Sequence, residues 1–344
     1  MTALPPVVAL LPGDAAGVGP EMALKLLSRP ANRQAARVLL IGGADVLADA
    51  GRITGHPLEP LRCEHLDALR FEPGRVSWLP TAGLGGPLER GQSTAAAGAE
   101  ALRGLNLAAD AAQQGRVQAI LFAPLNKHAL RLGGLQQEDE LRHLQQRFGV
   151  SGFVCEFNIT GGLWTSRVTS HVPLRDVAAL ITPAAVADAV HIIDGALRQA
   201  GVARPRIAVS GLNPHAGDGG SIGREEIEVI APAVQALQAR GLDARGPYSP
   251  DTVFIAARRG DFDAVVSMYH DQGQIAMKLM GFERGVTLHG GLPVPVATSA
   301  SGSAYDIAGR GVAGIEGLQA AFDLCVAMAR STPAAATAAS CPAG

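Results

Sequence analysis

Short apolar runs rich in valine, isoleucine and leucine alternate along this chain with longer alanine- and leucine-rich segments of helical period. A parallel sheet covered by helices reads this way, because its strands are buried on both faces while each helix buries only a stripe. The runs that predict strands are VVALL (7 to 11), RVLLIGG (37 to 43), VQAILFA (117 to 123), LWTSRVTS (163 to 170), RIAVSG (206 to 211) and DAVVSMY (263 to 269). Helices are predicted over 20 to 28, 94 to 114, 176 to 200, 225 to 240 and 314 to 330. The helix from 225 opens with Glu225 and Glu226, where the positive end of the helix dipole favours acidic side chains. The fold class is therefore α/β.

Polar groups gather just after these strands. Pro12, Gly13 and Asp14 follow the first; Pro124, Asn126 and Lys127 follow the third; His171, His215, and His270 with Asp271 follow the last three. Ligands of open α/β sheets bind at the carboxyl ends of the strands, so residues far apart in sequence can converge there. His171, His215 and His270 could offer three neutral imidazoles to one divalent cation and leave a position open for substrate. Isolated histidines also cap backbone groups or sit in solvent, and no two of these share a local ligand motif such as HExxH, so spacing alone leaves both readings open.

Two glycine-rich loops have a similar double reading. NPHAGDGGSIGREE (213 to 226) and GDAAGVGPE (13 to 21) can bend tightly into a helix or point amides at an anion, and neither is a GxGxxG or P-loop pattern. Lys278 lies among apolar neighbours, either snorkelling to the surface or held in a cleft for acid-base work. In SGSAYDIAGRGVA (301 to 313), small residues would let a ligand approach the backbone while Asp306 could accept from a ribose diol.

Composition narrows the function classes. The 344 residues are 47% hydrophobic and 17% charged with a net charge of -2, which gives no broad attraction for nucleic acid or anionic membranes. Cys63, Cys155, Cys325 and Cys341 lack CxxC spacing, against a disulfide framework or thiolate zinc site, and the expected compartment is the reducing cytoplasm. The opening MTALPPVVALLPGD is too short in its apolar stretch to span a bilayer and has no basic n-region, so it is expected to be a first strand. The tail over 331 to 344 has almost no large apolar residue and is expected to be disordered.

Taken together, GDAAGVGPE (13 to 21), APLNK (123 to 127), TSHVPL (169 to 174), GLNPHAGDGGSIGREE (211 to 226), SPDTVF (249 to 254), MYHDQGQ (268 to 274) and GSAYDIAGRG (302 to 311) resemble the 4-hydroxythreonine-4-phosphate dehydrogenase (PdxA) family. The resemblance implies two α/β/α domains flanking a cleft in the isopropylmalate-dehydrogenase-like manner. The first domain would take residues 1 to 130 and 290 to 330, and the second 131 to 289. It also implies a homodimer with a shared active site, no nucleic acid or membrane partner, and a small-molecule substrate. His171, His215 and His270 would bind one divalent metal, zinc foremost, with magnesium, manganese or cobalt as alternatives, and His270 would come from the neighbouring subunit. GSAYDIAGRG is similar to the HGSAPDIAGKG loop of isopropylmalate dehydrogenases, so Gly302, Ser303 and Asp306 would hold the adenosine half of NAD.

The implied chemistry is oxidation of a secondary alcohol by NAD, with loss of carbon dioxide when a carboxylate lies beta to the new ketone. Lys278 and Asp271 would serve the reaction, and Lys278, Thr287, Asp139, Glu140, Lys127 and Asp14 would face the substrate. The chain also departs from the family. GHTE becomes the neighbourhood of Glu138, Asp139 and Glu140, the substrate-side asparagine and arginine become Thr287 and Val296, and Ser301 replaces a histidine. Losing an arginine fork removes a strong anion contact and weakens the phosphate-substrate reading, so the phosphorylated intermediate of pyridoxine biosynthesis is one candidate substrate, and a catabolic hydroxy acid or a cis-dihydrodiol dicarboxylate of the terephthalate type is the alternative. A non-catalytic metabolite-binding relative is the alternative of another class.

Overall fold

The structure is a computed structural model that describes residues 4–331, so the expected tail lies outside the described residues beyond Ser331. In chain order the elements are β1 (Val7–Leu11), α1 (Gly19–Ser28), α2 (Pro30–Ala35), β2 (Arg37–Gly43), α3 (Ala44–Thr54), β3 (Leu61–Arg62), β4 (Ser77–Thr81), α4 (Ala95–Gln113), β5 (Ala119–Phe122), α5 (Lys127–Leu132) and α6 (Glu140–Phe148). There follow β6 (Cys155–Thr160), β7 (Leu163–Arg167), α7 (Val177–Leu180), α8 (Pro183–Gln199), β8 (Arg206–Ser210), α9 (Ala231–Ala239), β9 (Asp243–Tyr248), α10 (Val253–Arg258), β10 (Ala264–Ser267), α11 (His270–Gly281), β11 (Val286–Gly290), β12 (Val296–Ser299) and α12 (Glu316–Ser331). Contacts divide the chain into two units, Met1–Ser151 with Leu292–Gly344, and Gly152–Gly291.

In the first unit six strands run in the order β3-β4-β2-β1-β5-β12, all paired in parallel. Every residue of β1 is buried, as a doubly covered parallel strand requires. The sheet grows from β1 towards β2 and β4, then reverses across β1 to β5, which makes the carboxyl ends of β1 and β5 a topological switch point. Leu105 and Ala108 of α4 pack with Leu11, Ile41 and Phe122 in the core. Helix α4 starts where the Thr94 side chain accepts from the Ala97 amide.

Sequence reading set the first boundary at residue 130, whereas α5 and α6 belong to the first unit. Glycine explains the attachment of α5: a Cβ on Gly98 of α4 would lie 1.7 Å from the carbonyl oxygen of Ala129, so only glycine lets the two helices touch there.

The second unit has the strand order β11-β6-β7-β10-β8-β9. Strands β7, β10, β8 and β9 are parallel, while β6 pairs antiparallel with both β7 and β11. The helix expected over 176 to 200 is two, α7 and α8, because Pro183 cannot sit in a helix interior and instead opens α8 behind the Thr182 cap. Among the described residues, no single helix is long and apolar enough to cross a membrane.

Candidate functional site

Three neighbouring parallel strands of the second unit, β7, β10 and β8, each run into a histidine at the carboxyl edge: His171, His270 and His215. The β7 chain stays bonded to β10 past its end, with the Val168 amide on the Ser267 carbonyl at 2.9 Å and the Thr169 amide on Met268 at 3.1 Å. The His171 ring then meets the His270 ring at 5.5 Å between centroids, tilted by 41°. Gln272 clips the next pair of strand ends together. Its Oε1 accepts the Met268 amide at 2.7 Å and its Nε2 donates to the Gly211 carbonyl at 2.9 Å.

Both outer histidines sit on left-handed backbone. His171 has φ 51° and His215 φ 55°, and the left-handed stretch continues through Ala216, Gly217, Asp218 and Gly219. Such conformations cost about 1–3 kcal/mol per non-glycine residue and persist where the surroundings over-determine them. Glu226 does this for the His215 loop. Its buried Oε1 accepts the Leu212 and Asn213 amides, both at 2.7 Å, and its Oε2 accepts from Asn213 Nδ2 at 3.0 Å. A Cβ on Gly217 would come within 2.7 Å of that carboxylate.

His270 is the first residue of α11, and its Nδ1 lies 2.7 Å from Asp271 Oδ1. An Nδ1–H donated to Asp271 leaves the Nε2 lone pair for a cation, the usual way a ligating imidazole is oriented. Neutral imidazoles suit a borderline divalent ion, so this donor set fits the implied metal. Among the described residues the three imidazoles do not form, within one chain, a group whose ligand atoms all lie within 4.8 Å of one another; His171 and His270 are brought together and His215 is not. Lys278 is exposed on α11, on the helical face that carries His270 and Gln274 at four-residue spacing.

Beside this edge lies a polar layer that the sequence reading did not find. Arg167 closes β7 and is 4% exposed; its Nη2 donates to Glu156 Oε2 at 3.0 Å, its Nη1 to Asn158 Oδ1 at 3.0 Å and its Nε to Ser170 Oγ at 2.9 Å. Asn158 Oδ1 also accepts from Gln274 Nε2 at 2.6 Å. Thr287, expected on the substrate side, pairs with Asn158 across β11 and β6. Val296 faces elsewhere: it is fully buried in the core of the first unit.

At the switch point of the first unit, Asp14 follows β1 and is 1% exposed. Its amide donates to the Pro124 carbonyl after β5 at 2.9 Å, and its Oδ2 accepts from the Tyr305 hydroxyl at 2.6 Å. Ser93 lies 3.3 Å from that hydroxyl and donates to Asn126 Oδ1 at 3.0 Å. Burial pushes the Asp14 carboxyl up, against the lowering pull of the bonds from Tyr305 and the Ala16 amide. Burial, then the bond to Asp14, pushes the Tyr305 phenol up to about 12. Lys127 is 3.7 Å from Asp139, whose side chain also caps α6 by accepting the Arg142 amide at 2.9 Å; Glu140 is buried at the start of the same helix. Asp139 thus has a structural role as well as its expected place near substrate.

The segment over 302 to 311 is held from α1. The Glu21 carboxylate accepts the Gly309 amide at 2.5 Å and the Gly311 amide at 2.7 Å, and Lys25 Nζ donates to the Gly311 and Ala313 carbonyls at 2.6 and 2.8 Å. Ser303 is buried against α1, where its carbonyl accepts the Val18 amide at 2.9 Å. A Cβ on Gly302 would meet nothing within 4 Å, and Asp306 is exposed on the following turn. A pinned loop with open space above Gly302 and an exposed carboxylate fits the adenosine half of a dinucleotide.

A family model described as pyridoxal phosphate biosynthetic protein PdxA matches residues 34–325. The chain belongs to the PdxA family. A provisionally named 4-hydroxythreonine-4-phosphate dehydrogenase 2 of Pseudomonas aeruginosa is 46% identical over 329 residues, covering 94% of this chain and 97% of that protein. The D-threonate 4-phosphate dehydrogenase of Cupriavidus necator is 40% identical over 309 residues, covering 90% and 92%. A crystal structure of a 4-hydroxythreonine-4-phosphate dehydrogenase from Burkholderia phymatum matches this PdxA member with a TM-score of 0.80 at 38% identity, over 95% of this chain and 99% of the other.

Proposed function

We propose that this PdxA-family member is a dehydrogenase dependent on NAD and one divalent metal, oxidising a secondary alcohol of a small hydroxy acid. The observation that carries this reading is the histidine at the end of each of three neighbouring parallel strands. His171, His215 and His270 would hold the ion, and Gly302, Ser303 and Asp306 the adenosine half of NAD. Bound there, a divalent ion supplies Lewis acidity towards the substrate hydroxyl.

The protein's own groups do the rest. Asp271 accepts the Nδ1 proton of His270 and fixes that ring. Lys278, one face along α11, binds the substrate carboxylate or passes a proton. When bound, NAD would accept the carbinol hydrogen as hydride while the hydroxyl proton departs, so that alcohol and NAD would become ketone, NADH and a proton. Where the substrate carries a carboxylate beta to that ketone, it would be lost as carbon dioxide, and the carbon that bore it would take up a proton.

Ile275 and Leu279 are exposed one turn apart on α11 beside His270, and a second copy of the chain is the proposed cover, giving a homodimer with a shared active site. The thiols of Cys63, Cys155 and Cys325 are buried, and a reducing cytoplasm is the proposed compartment.

Two observations favour an unphosphorylated hydroxy acid or cis-dihydrodiol dicarboxylate over a phosphorylated substrate. Val296 stands buried where the family resemblance places a substrate-side arginine, and Lys127 already faces Asp139. The names of the relatives favour the phosphorylated class instead. A panel of both classes, followed by NADH formation with zinc, magnesium, manganese or cobalt, decides between them. Turnover of phosphorylated members alone would reject the altered-substrate reading, and no turnover with any member would favour a metabolite-binding role.

A further inference from the structure

The buried guanidinium of Arg167 is unusual for the last residue of a strand in an α/β unit. Removing an arginine from water costs several kcal/mol, which good hydrogen-bond geometry must offset. Here each of its three nitrogens has a partner, in Glu156, Asn158 and Ser170. Two of the three lead to histidines. Ser170 immediately precedes His171, at the point where the chain has left its last bonds to β10 and turns into the left-handed conformation, φ 51°. Asn158 passes on to Gln274, one helical turn after His270 on α11. One guanidinium therefore ties the β7 loop that carries His171 to the helix that carries His270, and Glu156 holds it in place as the facing carboxylate on β6.

We propose that Arg167 is a positioning residue that sets the placement of His171 in its own subunit's site and of His270, which the proposed dimer offers to the partner subunit's site, and so tunes how well each site holds its ion. It touches neither substrate nor ion; it acts through Ser170 on one side and through Asn158 and Gln274 on the other. Outer partners of metal ligands commonly change metal affinity by about 10–100-fold when removed. This inference rests on the reading of His171 as a ligand.

The test measures zinc affinity by chelator competition on the full-length protein for wild type, Arg167→Met, Arg167→Lys, Ser170→Ala and His171→Ala, with thermal melts alongside. Ser170→Ala removes one bond and leaves the Arg167–Glu156 pair intact, so it remains informative if Arg167→Met does not fold. The expected result is zinc binding weakened about 10-fold or more in Arg167→Met and Ser170→Ala, with partial recovery in Arg167→Lys. A purely structural arginine would lower the melting temperature and leave the zinc affinity of the folded variants unchanged, which overturns the proposal. Should His171→Ala keep wild-type zinc affinity, the ligand reading itself fails. If His171→Ala loses zinc while the folded Arg167 and Ser170 variants bind as wild type, only the positioning role fails.

Discussion

The hydroxyl of Tyr305 donates a 2.6 Å hydrogen bond to Oδ2 of Asp14, joining the loop after β12 to the end of β1 across 291 positions of sequence. Burial and the neighbouring carboxylate hold the phenol protonated up to about 12. Because the folded value is raised, the stability it contributes is present below the unfolded value of about 10 and is lost as pH rises from there through the folded value. Of the three tyrosines, Tyr305 is expected to titrate near 12 in phenolate absorbance, and Tyr305→Phe should abolish that late step while flattening the alkaline loss of stability. A late step that survives in Tyr305→Phe would contradict the assignment.

Glu226 offers a sharper stability test, since its carboxylate accepts two backbone amides and the Asn213 side chain. Glu226→Ala should cost about 1.5–3 kcal/mol, the range for hydrogen bonds to a charged group. It should also release the left-handed loop of His215 and lower bound metal; a variant that melts lower yet keeps full metal content would separate the loop from the site.

Val296 lies in the core of the first unit, fully buried beside Ile120 and Phe122. Restoring an arginine there places an unpaired charge among apolar side chains. Val296→Arg is expected to lose more than about 4 kcal/mol and to express poorly, without gaining turnover of phosphorylated substrates. Melting temperature and soluble yield check this directly.

Much of the sheet was legible because β1, β2, β5, β8 and β10 are continuous apolar runs with the burial of doubly covered strands. Strand ends then pointed to the histidines. Strands β6 and β11 escaped detection because they alternate, with Cys155, Phe157 and Ile159 against Glu156, Asn158 and Thr160, and Val286 and Leu288 against Thr287 and His289, so a reading for continuous apolar runs passes over them. Helix α11 was hidden by its polar start, His270 to Gln274, and by its internal Gly273. Arg167 stood within a predicted strand as one charged residue, and its significance comes from Glu156, Asn158 and Ser170, which only the tertiary structure brings together. Tyr305 lay inside a motif already singled out, but its partner Asp14 is at the opposite end of the chain.

We propose that the three strand-end histidines, His171, His215 and His270, form one divalent-metal site. Equilibrium zinc binding to wild type and to the single alanine variants of His171, His215 and His270 tests it most directly. Wild type should bind zinc tightly and each variant should lose that binding, with the fold preserved by circular dichroism. Wild-type zinc affinity retained in all three variants would contradict it.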